Sequence, residues 1–258
     1  MTSNSLETEI FDKNFFSEEE LTLLDPDKMP THVAIIPDGN RRWACSKSVS
    51  SNIGHWEGAD KLTNIVKAAA EMGVRVLTVY SFSTENWTRS KNEIDALMKL
   101  FELYLISQRD ILRKEGIRLN VIGDISMCPL HVQNAIKDTM QATEKGSKFD
   151  LVLAMNYGGR DEIKRSILKI IDDYDNNKID KSCITENLIS KYLDTAKWKD
   201  PDLLIRTSGE QRISNFLLWQ ISYTEVYVTD VLWPEFSPKH FYKAVIEYQK
   251  RKRRLGGI

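Results

Sequence analysis

Short runs of β-branched and other apolar residues alternate along this chain with stretches whose apolar positions recur every three or four residues. Val33-Ala34-Ile35-Ile36 is an unbroken apolar run, as expected of a strand covered on both faces. Leu62, Ile65, Val66 and Ala69 then fall at helical spacing, and Gly73 stands where a helix C-cap belongs. Val76 to Tyr80 predicts a second strand. Ile94, Leu97, Met98, Phe101 and Leu105 stripe a long helix that runs to about Lys114 and stops at Gly116. Strands are predicted at Leu119–Ile122, Leu151–Met155 and Leu203–Ile205, with helices near 129–144 and 161–174 between them. Val226–Val228 is a last short strand, and a helix from Pro238 closes the pattern. Alternating β and α segments predict an α/β fold with a mostly parallel sheet flanked by helices. In such sheets ligands bind beyond the carboxyl ends of the strands.

No repeat, low-complexity tract or Pro/Gly-rich linker interrupts the pattern, so one domain is expected over residues 29–258, behind a leader of residues 1–28. The first thirty residues carry Glu7, Glu9, Asp12, Glu18, Glu19, Glu20, Asp25 and Asp27 against only Lys13 and Lys28, whereas the chain closes on Lys250-Arg251-Lys252-Arg253-Arg254. Both ends read as solvated surface. Ser17-Glu18-Glu19-Glu20 ahead of Leu21, Leu23 and Leu24 has the form of a capping box before a short helix. With 258 residues, 41% of them hydrophobic and 28% charged, the chain can bury a full core. Its formal net charge of -1 speaks against a general nucleic-acid binder. Cys45, Cys128 and Cys183 show no CxxC spacing, which suits a reducing compartment rather than a disulfide framework or a zinc site. No apolar run approaches the ~20 residues that span a bilayer, and no basic-then-apolar signal opens the chain. A cytoplasmic protein, at most touching a membrane surface, is expected.

Three polar segments follow predicted strands. Asp38-Gly39-Asn40-Arg41-Arg42-Trp43 offers a carboxylate for a hard cation such as Mg²⁺, and backbone N–H groups with two guanidinium forks for a diphosphate. A capped turn with exposed arginines fits the same six residues. Ser81-Phe82-Ser83-Thr84-Glu85-Asn86-Trp87-Thr88-Arg89 mixes hydroxyls, a carboxylate, an amide and an arginine with aromatics. That mixture can orient an anionic head group beside an apolar tail, or form a structural loop around a buried Trp. Arg206-Thr207-Ser208-Gly209-Glu210-Gln211-Arg212-Ile213-Ser214-Asn215 supplies a second anion site, and Glu225 stands as a metal partner for Asp38 or as one member of an ion pair. Neither a GxxxxGK[ST] loop nor a GxGxxG after a strand occurs. Asn156-Tyr157-Gly158-Gly159-Arg160 reads as a strand-to-helix turn, and His32, His55, His131 and His240 form no zinc signature.

Taken in order, His32 to Ala44, Gly54-His55, Tyr80 to Arg89, Asn156 to Arg160, Arg206 to Asn215 and Asp230-Val231-Leu232-Trp233-Pro234 resemble the successive motifs of the cis-prenyltransferases, the undecaprenyl diphosphate synthase family. The likeness spans roughly Met29 to Gly257. It implies a homodimeric α/β fold with an apolar tunnel, and an enzyme that condenses isopentenyl diphosphate with an allylic diphosphate such as farnesyl diphosphate. It further implies that Asp38 holds Mg²⁺ and that Glu225 assists the metal. Gly39, Asn40, Arg41, Arg42 and Trp43 would surround the allylic substrate, with Ser83, Thr84, Glu85, Trp87 and Arg89 beside it. Arg206, Arg212, Ile213 and Ser214 would hold isopentenyl diphosphate. Asn86, with His55 nearby, is the candidate for assisting proton removal, Phe149 for the tunnel floor, and Arg254-Leu255-Gly256 for a tail that reaches a partner's site.

The chain departs from the family pattern in three places. Ser51 stands where an arginine is usual, Pro37 where Met is common, and Gln211 where His is frequent. The serine-rich stretch Cys45 to Ile53 is expected to be a mobile flap over the first anion site, with Lys47 as a substitute cation. Rival functions are weaker. A trans-prenyltransferase or terpene cyclase needs DDxxD motifs on helices, and Asp172-Asp173-Tyr174-Asp175 lacks a partner motif. A non-catalytic partner subunit of the same fold would lack motif residues that are present here. An RNA binder would interleave aromatics with the basic tail.

Overall fold

The computed structural model describes residues 14–252. Six parallel strands form one sheet: β1 (His32–Ile36), β2 (Val76–Ser83), β3 (Ile117–Ile122), β4 (Phe149–Tyr157), β5 (Leu203–Arg206) and β6 (Glu225–Val228), in the spatial order β3-β4-β2-β1-β5-β6. Side chains of β1 alternate between two cores, because successive residues of a strand point to opposite faces. Val33 and Ile35 join the larger core and Ala34 and Ile36 the smaller, which explains why the run is apolar throughout.

Four helices cover the larger face. They are α3 (Ser51–Glu71), α4 (Lys91–Glu115), α5 (Leu130–Thr143) and α8 (Pro238–Gln249). Leu97, Met98, Leu105 and Leu112 of α4 deliver the periodic stripe into that core, and Gly116, at φ 72°, ends the helix in the left-handed region as anticipated. Phe216, Leu217 and Tyr157 fill the smaller face, where α6 (Gly159–Asp175) and α7 (Glu186–Tyr192) lie in the β4–β5 connection. The predicted strands and helices are all present. Two short helices were not predicted: α7, and α2 (Asn40–Ser46), where the sequence suggested a turn and a flap.

The leader is corrected. A helix α1 (Glu18–Thr22) does form with the Ser17/Glu20 capping box, but residues 14–28 are not a solvated appendage. Phe16 and Leu24 are buried in the larger core, and Phe16 packs on Tyr242 with ring centroids 5.4 Å apart. The N–H groups of Phe15 and Phe16 donate to the Glu71 carboxylate at 3.0 and 3.1 Å, and Gln249 bridges to both N and O of Asp25. This segment therefore ties the end of α3 to α8, and the boundary near Met29 does not divide the fold. The Arg254-Leu255-Gly256 tail lies outside the described residues.

Phe16→Ala should cost about 3 kcal/mol in urea unfolding, the range for truncating a buried aromatic. A solvated leader would instead show a change within about 0.5 kcal/mol.

Candidate active site

The strand order creates the site. From β1 the chain crosses toward β2 through helices on the larger face, whereas from β5 it turns to β6 through a segment packed on the smaller face. The two neighbouring strands thus send their connections to opposite sides and leave a crevice at their carboxyl ends. Asp38 and Arg206 meet there, with Arg206 Nη2 donating to Asp38 Oδ2 at 2.8 Å. Thr207 Oγ1 pins the ends together by accepting from Asp38 N and donating to Asp38 O, at 2.8 and 2.7 Å. Gly39 has φ 109°, and a Cβ there would lie 2.9 Å from Leu232 Cδ2 and 3.1 Å from Ser208 Cβ, so only glycine fits this turn.

Three hollows open from Asp38 or beside it. A cleft of about 600 Å³ is lined by Asp38, Asn40, His55, Ser83, Glu85, Asn86, Arg89, Arg206, Arg212 and Ser214, with Tyr80 and Asn215. A smaller pocket of about 120 Å³ is lined by Asp38, Gly39, Asn40, Arg41, Arg42, His55 and Arg89. An apolar cavity of about 80 Å³ runs inward from Pro37, Asn40, His55 and Ser81, past Leu62, Leu97, Leu100, Phe101 and Tyr104 to Leu153. Two cationic hollows and one greasy one share Asn40 and His55 at their junction.

Burial acts to raise the pKa of Asp38, but the hydrogen bond and charge of Arg206, with Arg42, outweigh it and hold the carboxyl below its usual range. His55 is nine-tenths buried, and its Nε2 has no hydrogen-bond partner. Desolvation and the charge of Arg89, aided by Arg41, lower its pKa against the opposing pull of Glu93, 3.6 Å away. The imidazole is therefore neutral at pH 7 and able to accept a proton. Asn40 Oδ1 and Arg206 Nε are likewise buried without partners, as expected of groups that await a ligand.

The comparisons with known proteins agree with this geometry. Residues 36–256 match the family model described as "Putative undecaprenyl diphosphate synthase". The chain belongs to the undecaprenyl diphosphate synthase family. An isoprenyl transferase of Prochlorococcus marinus subsp. pastoris is 48% identical over 91% of this chain and 86% of its own length. Lavandulyl diphosphate synthase from Lavandula x intermedia, solved in complex with dimethylallyl diphosphate, superposes with a TM-score of 0.87 at 36% identity, over 89% of this chain and 99% of that one. A probable undecaprenyl diphosphate synthase from Campylobacter jejuni does so with 0.74 at 30% identity, over 88% and 98%.

Not every family motif residue reaches the crevice. Trp87 donates its indole N–H to Asn156 Oδ1 at 2.8 Å and packs edge-on against Phe82, so it is a wall of the fold. Ile213 packs on the smaller core, while Trp43 and Thr84 line none of the three hollows. Asn86 caps its own turn, accepting from Ser83 N at 3.1 Å. Glu225 is the main correction. It opens β6 opposite Leu203, at the amino end of the sheet, and pairs with Arg251 at 2.8 Å. Asp38 lies at the other end, so a single chain does not assemble the expected carboxylate pair. A strand's glutamate alone carries no sign of which end of the sheet it occupies.

The flap is corrected as well. Residues 40–46 are helix α2 and Ser51 begins α3, away from all three hollows; Lys47 is engaged with Glu235 at 3.4 Å. Phe149 is buried at the amino end of β4 and does not line the apolar cavity. Sequence reasoning missed Glu93 and Tyr104. Glu93 and Tyr104 sit in the helical stripe of α4, where nothing in the pattern distinguishes a site-facing turn from a core-facing one.

Glu93→Gln should lower the His55 pKa further by removing the one nearby anion that raises it, and Arg89→Met should raise it. Imidazole resonances followed by NMR across pH 4–8 check both; no movement in either variant would mean that the ring does not feel these charges.

Proposed function

We propose that this protein lengthens an allylic prenyl diphosphate, such as farnesyl diphosphate, by condensing it with isopentenyl diphosphate to give a cis-polyprenyl diphosphate. The observation that carries this reading is the junction of two arginine-lined hollows with one apolar cavity at Asn40 and His55. Arg41, Arg42 and Arg89 would take the allylic diphosphate, and Arg206, Arg212 and Ser214 that of isopentenyl diphosphate. The tail of the allylic substrate would enter between α3 and α4. Trp233 donates to Gly58 O at 2.8 Å and sits where a Cβ on Gly58 would fall, which keeps this end of α3 tight against the head-group site.

Asp38 and the unpartnered Asn40 oxygen are hard donors of the kind that suits Mg²⁺, so the residues present fit such an ion, and Asp38 would hold it. When bound, the ion would neutralise charge on the leaving diphosphate. The arginines would do the same work through preorganised hydrogen bonds. Holding both substrates side by side supplies the bimolecular entropy beforehand. As the allylic C–O bond breaks and the new C–C bond forms, a proton leaves the isopentenyl unit; neutral His55, with Asn86 also lining the cleft, would receive it. The product would serve as precursor of the lipid carrier for cell-wall glycans.

Ile167, Leu168, Ile171 and Tyr174 leave an apolar stripe exposed on α6, with Ile184, Tyr223 and Val226 also exposed. Such a surface supports a homodimer through this face. No helix among the described residues is long and apolar enough to cross a membrane, and a cytoplasmic enzyme working at the membrane surface fits a product of this kind.

The test is turnover of radiolabelled isopentenyl diphosphate by the purified chain, with products separated on reversed-phase plates. Asp38→Ala should lower kcat by about 10²–10³-fold, the scale of losing a transition-state charge stabiliser, with unchanged circular dichroism. Near-normal kcat in this variant at saturating Mg²⁺ would overturn the assignment.

Tyr104 narrows the apolar cavity, its phenol so buried that its pKa is pushed up to about 12. At about 80 Å³ the hollow is far smaller than a long tail needs. Tyr104→Ala should therefore lengthen the products, while Phe149→Ala should reduce stability without shifting chain length. A longer product from Phe149→Ala alone would return the floor to that residue.

A further inference from the structure

Glu210 is a carboxylate at the site to which none of the steps above gives a role. Its two oxygens engage two arginines from different segments. Oε1 lies 3.2 Å from Arg42 Nη1, and Oε2 accepts from Arg212 Nη1. Arg42, on α2, lines the small pocket, whereas Arg212 lines the large cleft with Arg206 and Ser214. A carboxylate that bridges two guanidinium forks presents the same oxyanion chemistry that a diphosphate would present to either one.

The backbone beside Glu210 is fixed, whereas its side chain is held only by partly exposed ion pairs. Ser208 and Gly209 are both left-handed at φ 76°, and their N–H groups donate to Val231 O and Thr229 O at 2.9 and 2.8 Å. Arg42 is further held by Ser208, through Nη1 to the carbonyl at 3.0 Å and through Nη2 to the hydroxyl. The Glu210 side chain is 31% exposed, with Arg42 at 48% and Arg212 at 61%. A bridge this wet is weak and exchanges readily with other anions. Its carboxylate can swing to solvent without any change in the loop.

We propose that Glu210 is an internal competitor for diphosphate that couples the two substrate subsites; this rests on the assignment of Arg42 and Arg212 to the two diphosphates. A first diphosphate on Arg42 carries more negative charge than the carboxylate, displaces it and repels it into solvent. Arg212 is then released to the second diphosphate. By linkage, isopentenyl diphosphate does the same for the allylic ligand. No bond is made or broken in this exchange. The opposite role, a strut that holds Arg212 in place for its substrate, predicts effects of the opposite sign.

Titration calorimetry of isopentenyl diphosphate on the full chain, with Mg²⁺ held constant, tests the proposal, with and without an unreactive thio-analogue of the allylic diphosphate. In the wild type the analogue should tighten binding by about two- to tenfold, the scale of two exposed ion pairs. Glu210→Gln should bind isopentenyl diphosphate alone as tightly as the wild type does with the analogue, and gain nothing more when the analogue is added. Weaker binding by Glu210→Gln, or coupling retained at the wild-type size, overturns the proposal. So does an equal gain from Glu57→Gln, which removes an exposed charge on α3 that touches none of these arginines. Arg212→Ala tests the underlying assignment separately. It should weaken isopentenyl diphosphate binding, and wild-type affinity there would sink the subsite assignment itself. Glu210→Asp, which keeps the charge on a shorter stem, should fall between wild type and Glu210→Gln if the amide variant fails to fold.

Discussion

The contact between Asp38 and Arg206 is the constraint on which the site depends. Arg206 is a guanidinium with only 4% of its side chain exposed, and a buried charge is tolerated only where its donors find acceptors. Asp38, beyond β1, and Ser214 Oγ with the carbonyl of Arg212, both in the loop after β5, supply them for its two terminal nitrogens. Satisfying one arginine therefore draws the end of β1 and the loop after β5 into one place. The cost appears in the backbone: Ser214 and Asn215 are left-handed at φ 48° and 62°, which residues other than glycine seldom adopt. Asn215 is held there by its links to Glu85, Arg160 and Gly159.

The same economy of contacts sets the electrostatics of the cleft. Arg42 pairs with Asp38 and Glu210, Arg89 with Glu93, Arg206 with Asp38, and Arg212 with Glu210. Cations gathered for polyanionic substrates would repel one another without them. The carboxylates offset the arginines' charge, and His55 stays uncharged because burial and two arginines outweigh Glu93. Substrate binding is then an exchange of weak internal anions for stronger external ones, which makes its affinity sensitive to salt.

The polar cleft and the apolar cavity lie on one continuous wall because α3 and α4 flank both. His55 lines both, and Leu62, seven residues further along α3, lines the cavity. The leader clamps the far end of α3 through Glu71, so the helix that lines the apolar cavity is held at two points: by Trp233 at Gly58 and by the Phe15–Phe16 amides at Glu71.

Periodicity alone determined the fold class, the order of the elements and the places where strands end, because a strand buried on both faces and a striped helix leave marks that need no neighbour to interpret. The motif residues Asp38, Arg41, Arg42, Arg89, Arg206, Arg212 and Ser214 were legible for a related reason: each follows a strand, and parallel strands deliver their carboxyl ends to one edge. Only the tertiary structure could decide what depends on distance between segments. Glu225 follows a loop and opens its strand, so within one chain it stands at the opposite end of the sheet from Asp38. Trp87 and Ile213 belong to motifs but turn inward, and Ser51 opens a helix rather than a flap. Phe16 reads as part of a charged leader until Tyr242 and Glu71 arrive beside it from other parts of the chain. Tyr104 and Glu210 were ordinary members of a helix stripe and a polar loop. Their significance comes from what the fold sets against them, and a one-dimensional pattern carries no information about partners so far away in sequence.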